Sequence, residues 1–253
     1  MVESYIRTKL EKKDILLMTH IVMGYPSFKD SMAIVEQMVE AGVDLMELQI
    51  PFSEPIADGP VILTANQKSL ERGATIKKCL GFAETAARQF DIPFLFMGYA
   101  NILFKYGIEK FAEKMADINI KGAIIPDLPP EEGMEYITAM KQHRLCPVHI
   151  FSPATSESRM TYLADHSDGF IYCVARKGVT GKTTDFSRDL GDHLKKCRNA
   201  THLPIAVGFG VKEKKDIDYL KGRADIAVIG SQTIRIVDEK GVQAAGEFLK
   251  TLQ

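Results

Sequence analysis

Eight short apolar runs recur along the chain: ILLMTHIV from Ile15, VDLMELQI from Val43, IPFLFMGY from Ile92, KGAIIPDL from Lys121, CPVHIF from Cys146, GFIYCVA from Gly169, LPIAVGF from Leu203 and ADIAVIG from Ala224. Their length and β-branched content read as strands buried on both faces, as in a parallel sheet. Their spacing averages about 30 residues, the size of one βα unit. Pro93, Pro147 and Pro204 stand near the start of three runs, where a missing N–H falls outside the central ladder.

Helical patterns fill the gaps. In SMAIVEQMVEAG, Ile34, Val35, Met38 and Val39 share one face and Gly42 stops the helix. GIEKFAEKMADI, EEGMEYITAMKQH and KEKKDIDYLKG repeat the logic with polar outer faces, and the charge run of the last reads as a solvated helix start. Eight strands alternating with helices point to an α/β chain folded as a (β/α)₈ TIM barrel, with 1–253 as one barrel domain; an open doubly wound sheet is the alternative. One gap is irregular. About 40 residues separate the second and third runs, well beyond an ordinary βα connection, enough for a long loop, an extra helix (VILTANQKSLERG) and the expected one (TIKKCLGFAETAARQF). Barrel active sites lie at the C-terminal ends of strands, so this insertion falls on the catalytic side.

A net charge of −1 gives no reason to expect nucleic acid or a membrane surface as partner. Cys79, Cys146, Cys173 and Cys197 are scattered without a CxxC pair, which reads as core thiols in a reducing cytoplasm. The charged start MVESYIRTKLEKKD has no apolar h-region, and no run reaches membrane-spanning length.

Chemistry concentrates in LMELQIPFSEPIADGP, from Leu45. Strand alternation puts Leu45, Glu47 and Gln49 on one face and Met46, Leu48 and Ile50 on the other. With the second set against the helices, Glu47 points into the barrel mouth, where a buried carboxyl is suited to acid–base work. Asp58 in IADGP reads alone as a turn former; a second acid this close after Glu47 suggests a shared task. Gly208, Phe209 and Gly210 follow the seventh strand, and Gly230 and Ser231 follow the eighth and open a short helix, SQTIRIVDE. Those two loops and an extra helix N-terminus form a recurrent phosphate site in barrels. Gly181, Lys182 and Thr183 match the end of a P-loop, but Arg176 occupies the place of its earlier glycine; the segment RKGVTGKTTDF reads instead as a lid. The six histidines, His20 and His149 in strand runs among them, show no metal-ligand spacing, so no metal is expected.

MELQIPFSEPIADGP resembles the signature of the tryptophan synthase α subunit family, close to LELGIPFSDPxADGP. GYPS at Gly24, MGYANILF at Met97, IIPDLPPEE at Ile124, RKGVTG at Arg176, GFGV at Gly208 and GS at Gly230 extend the resemblance along the chain in the right order. The resemblance implies a lyase that cleaves indole-3-glycerol phosphate to indole and glyceraldehyde 3-phosphate in tryptophan biosynthesis. It implies Glu47 as acid–base residue, Asp58 as partner of the indole N–H, Tyr172 as a pocket wall and Thr180 as the lid residue that meets Asp58. It also implies Gly181, Gly210, Gly230 and Ser231 as phosphate seat, with Phe209 beside the indole. It further implies a β subunit that carries pyridoxal phosphate, this chain having no cofactor, in an α₂β₂ assembly. Pro51, Phe52, Glu54, Tyr99, Asn101, Asp127 and Pro129 would face that partner.

Three positions depart from the pattern: Gln49 stands for glycine, Glu54 for aspartate and Lys177 for serine. Gln49 shares a face with Glu47 and would add volume and an amide to the pocket. A non-catalytic subunit that only activates a β partner, or another phosphate-binding barrel enzyme, stay open beside the lyase; the last leaves PFSEPIADGP unexplained.

Overall fold

The computed structural model describes residues 2–174, 188–208 and 210–253. The apolar runs form parallel strands: β1 (Leu16–Val22), β2 (Leu45–Gln49), β3 (Phe94–Met97), β4 (Gly122–Ile124), β5 (Cys146–Val148), β6 (Ile150–Phe151), β7 (Ile171–Val174), β8 (Ile205–Gly208) and β9 (Ile226–Ile229). Their order is β5-β4-β3-β2-β1-β9-β8-β7-β6. β5 and β6 are the halves of one strand interrupted at His149, whose carbonyl accepts from the Tyr172 N–H at 3.0 Å. The two ends of the order therefore meet, and the sheet closes as the expected eight-stranded barrel.

The helices are α1 (Val2–Leu10), α2 (Phe28–Glu40), α3 (Pro60–Glu71), α4 (Ile76–Gln89), α5 (Ala100–Tyr106), α6 (Ile108–Asp117), α7 (Pro130–Gln142), α8 (Glu157–Asp165), α9 (Arg188–Ala200), α10 (Lys214–Leu220), α11 (Ser231–Lys240) and α12 (Val242–Thr251). Local chemistry sets their ends. Ser27 accepts from the Asp30 N–H at the start of α2, and Gly42, at φ +82°, turns the chain out of it. The charge run before α10 is a capping box in which Glu213 and Asp216 satisfy each other's backbone. α3 is the extra helix of the long insertion, and α11 the short helix after the last strand.

Strand alternation divides the core into two layers. Leu16, Met18, Leu45, Leu95, Met97, Ile124, Val148, Ala206, Ile226 and Val228 fill the barrel. Leu17, Ile21, Met46, Leu48, Phe94 and Phe96 pack outward with the helices. Each such side chain contributes roughly 1.5–3 kcal/mol when fully buried. The charged N-terminal stretch is a helix whose apolar face has a use: Val2 and Ile6 of α1 join the inner layer. Among the described residues no helix is long and apolar enough to cross a membrane.

Candidate active site

Register builds the centre of the site. β1 and β2 pair with Met18 beside Leu45, His20 beside Glu47 and Val22 beside Gln49. Met18 and Leu45 lie in the inner layer, and two residues further along each strand the same parity brings His20 and Glu47 inward. Both side chains are buried, and His20 Nδ1 lies 2.9 Å from Glu47 Oε2. Burial works against a charged imidazole, but the hydrogen bond and charge of Glu47, with Asp58 and the Gln49 amide adding to them, hold the His20 pKa above its ordinary 6.5.

Asp58 arrives from the loop after β2. Its backbone N–H closes a turn on the Pro55 carbonyl at 2.9 Å. Two fixed points hold the loop. The side-chain amide oxygen of Asn66, on α3, accepts from the Phe52 N–H at 3.0 Å, and the Tyr99 hydroxyl accepts from the Ala57 N–H at 3.2 Å. The same hydroxyl donates to Asp58 Oδ2 at 3.1 Å, and the Phe52 and Tyr99 rings stack with centroids 5.1 Å apart. Gln49 Nε2 donates to the same Asp58 oxygen at 2.5 Å. Burial raises the Asp58 pKa above the usual carboxylate value, and His20, Gln49 and Tyr99 offset part of that rise.

Glu47, His20 and Asp58 face one cavity of about 130 Å³. Ile62, Met97, Ile124, Ile150, Val174 and Val228 supply its apolar wall. Tyr172 closes one side, and burial together with Glu47 and Asp58 keeps its phenol neutral. The ring lies so close to β8 that a side chain at Gly208 would overlap the Tyr172 hydroxyl. Gly210, after β8, and Gly230 and Ser231, where α11 begins, also line the cavity, so the N-terminus of a helix borders it, and helix N-termini favour anions.

The structure thus brings Glu47, Asp58, Tyr172, Gly210, Gly230 and Ser231 to one cavity. Thr180, Gly181 and Phe209, with Lys177, lie outside the described residues. Of the positions expected at a partner surface, Glu54, Asn101 and Pro129 are exposed, and Phe52 and Asp127 are half-buried. Pro51 is buried; Tyr99 is fully so, and its hydroxyl serves Asp58. Asp127 accepts from the Ala100 N–H at 2.9 Å, at the start of α5. Gln49 is turned to Asp58 rather than Glu47, and is not part of the cavity wall. His20 was not expected here; its signal was the parity it shares with Met18 on β1.

The family model described as tryptophan synthase alpha chain matches residues 6–252. The tryptophan synthase alpha chain of Desulforapulum autotrophicum is 65% identical over 252 residues, with all of both chains covered. That of Syntrophotalea carbinolica is 60% identical over 253 residues, again with both chains fully covered. Among solved structures, Mycobacterium tuberculosis tryptophan synthase superposes with a TM-score of 0.93 at 26% identity, over 99% of this chain and 96% of that one. A chain from Aquifex aeolicus gives 0.92 at 30% identity over the same shares. Site geometry, sequence and fold agree, and the chain belongs to the tryptophan synthase alpha chain family.

Proposed function

We propose that this chain cleaves indole-3-glycerol phosphate to indole and glyceraldehyde 3-phosphate, with Glu47 as acid–base residue and Asp58 as partner of the indole N–H. The observation that carries the reading is the convergence of two buried carboxyls on one apolar cavity whose rim is a helix N-terminus. The apolar wall takes the indole and the N–H groups of α11 take the phosphate. Glu47 gives a proton to ring carbon 3, which leaves the ring nitrogen positively charged beside the Asp58 carboxylate. Glu47 then takes the proton of the glycerol hydroxyl next to the ring. The carbon–carbon bond breaks, its electron pair returns to the ring, and an aldehyde forms. Thr180, Gly181 and Phe209 complete the site in this reading as lid, phosphate contact and indole neighbour.

The reading includes a β subunit that receives the indole and carries the pyridoxal phosphate, this chain needing no cofactor, in the cytoplasm, with 1–253 as one barrel domain. Three exposed large apolar side chains support a docking face: Ile56 at 71% exposure, Phe104 at 57% and Met134 at 48%. They lie on the elements that follow β2, β3 and β4, which are neighbours in the sheet. Large apolar side chains left exposed on neighbouring segments fit a face that a partner covers. Glu54, Asn101 and Pro129 stand on the same segments.

Indole release from indole-3-glycerol phosphate by the full chain, with and without β subunit, tests the activity. Glu47→Gln and Asp58→Asn are each expected to lower kcat by about 10²–10⁴-fold, the range for a positioned acid–base or charge-stabilising group. Native-like turnover in Glu47→Gln would overturn the assignment.

A further inference from the structure

Two atoms of the His20–Glu47 pair have no hydrogen-bond partner among the described residues although both are buried: His20 Nε2 and Glu47 Oε1. The other two atoms are bound to each other, Nδ1 to Oε2 at 2.9 Å. Buried polar atoms left open are uncommon and call for a role. Here they belong to two titratable groups that line the same cavity.

We propose that His20 is the positioning residue and proton partner of Glu47, fixing the carboxyl through Nδ1 and sharing with it the proton that the reaction uses. The inference rests on Glu47 being the acid–base residue of the lyase. Two protons on the pair can be placed in two ways of equal net charge. One proton stays in the Nδ1–Oε2 bond in both; the second sits on Nε2 or on Oε1. In the second arrangement Glu47 is a neutral acid held in one orientation, with Oε1–H as the group that reacts. That proton goes to the ring carbon, the carboxylate left behind is held by Nδ1–H, and the hydroxyl proton of the substrate restores the acid as the carbon–carbon bond breaks. With only one proton the pair is Nδ1–H against a carboxylate and has none to give.

The surroundings decide how long the second proton is kept. Glu47 and Gln49 of β2 and Asp58 of the following loop favour a proton on His20. Tyr172 of β7 shares the cavity as a neutral phenol. Gly230, at the start of α11, lies so close that a Cβ there would be 3.5 Å from His20 Cβ, which brings the helix N-terminus against the charge. Tyr25 and Thr233 line a second, smaller cavity with His20. Glu47, Asp58 and Gln49 outweigh the burial, so the His20 ring holds its proton above the ordinary histidine value. His149, buried in the same barrel but bonded to the Ser167 hydroxyl, shows the contrast: burial pushes it down to about 4.

The test is a titration of the histidine-labelled full chain by nuclear magnetic resonance, beside the pH profile of indole release. One ring is expected to titrate above 6.5, to vanish in His20→Asn and to fall by about one pH unit or more in Glu47→Gln, where burial acts unopposed. His20→Asn retains a donor for Oε2 but cannot take a proton. Its KM should therefore hold, while the basic limb of kcat moves to lower pH and turnover at pH 8 drops about tenfold. His20→Ala removes the donor as well and should lower kcat at every pH. A His20 ring that titrates at or below 6.5, or that ignores Glu47→Gln, overturns the proposal; so does an unmoved basic limb in a folded His20→Asn chain. A native chain that shows the paired titration but releases no indole overturns the lyase reading instead.

Discussion

Gln49 shows how one amide changes the task of its neighbour. Read from β2 alone, it shares a face with Glu47 and threatens the volume of the pocket. In the structure its Nε2 donates to Asp58 Oδ2. In the proposed reaction Asp58 is ionised to oppose a positive ring nitrogen, and burial already holds its pKa above the usual value. The Gln49 bond favours the ionised form, so Gln49→Leu should raise the Asp58 pKa further. The protonated, ineffective form then persists to higher pH, and the acid limb of kcat/KM for indole release should move up by about one unit, while the rate well above that limb changes little. An acid limb that stays in place would show that the amide has no part in ionising Asp58. Glu47 and Asp58 were readable because strand parity and loop position need only one segment of chain. The His20 contact was not, because parity turns His20 inward but only the offset between β1 and β2 sets it beside Glu47.

At the level of elements, the loop between β2 and α3 matters most, because it carries Asp58. Its anchor is Asn66, a fully buried amide that accepts from the Phe52 N–H and donates to the Ile62 carbonyl at 2.9 Å. Asn66→Ala leaves the Phe52 N–H without its partner, at a cost of about 1–3 kcal/mol. It also removes one of the loop's two backbone anchors and leaves the one at Tyr99. Denaturant unfolding should show that loss, and kcat for indole release should fall by about tenfold or more, since loose positioning of a charge-stabilising group is expensive. Full turnover in a chain destabilised to that extent would mean that Tyr99 and Gln49 suffice to place Asp58. The inserted helix α3 was legible from the length of the gap after the second run, and the short α11 from the segment that follows Gly230. α5 was not, because its seven residues are too few to show a helical period. The break at His149 between β5 and β6 likewise leaves no mark in CPVHIF, which reads as one run.

For the molecule as a whole, the regular recurrence of strand runs was enough to predict a closed barrel, because parallel strands buried on both faces need helices all round them. Closure at the bottom was invisible: the apolar residues of α1, Val2 and Ile6, are too few to announce a plug, and their burial depends on where the barrel opening lies. The opposite end carries the proposed partner face, and it can be tested apart from the catalytic site. Phe104 is on α5, exposed at 57%, and among the described residues it is not part of the cavity wall. Replacing an exposed side chain of this kind changes folding stability by about 0.5 kcal/mol or less. Aromatic side chains at protein contacts, in contrast, are frequent anchors whose loss costs more than about 1 kcal/mol. Phe104→Ser is therefore expected to unfold at the native denaturant midpoint and to release indole normally as the isolated chain, while its affinity for the β subunit, measured by titration calorimetry, falls at least about fivefold. Unchanged affinity would remove α5 from the partner face and leave the elements after β2 and β4 to form it.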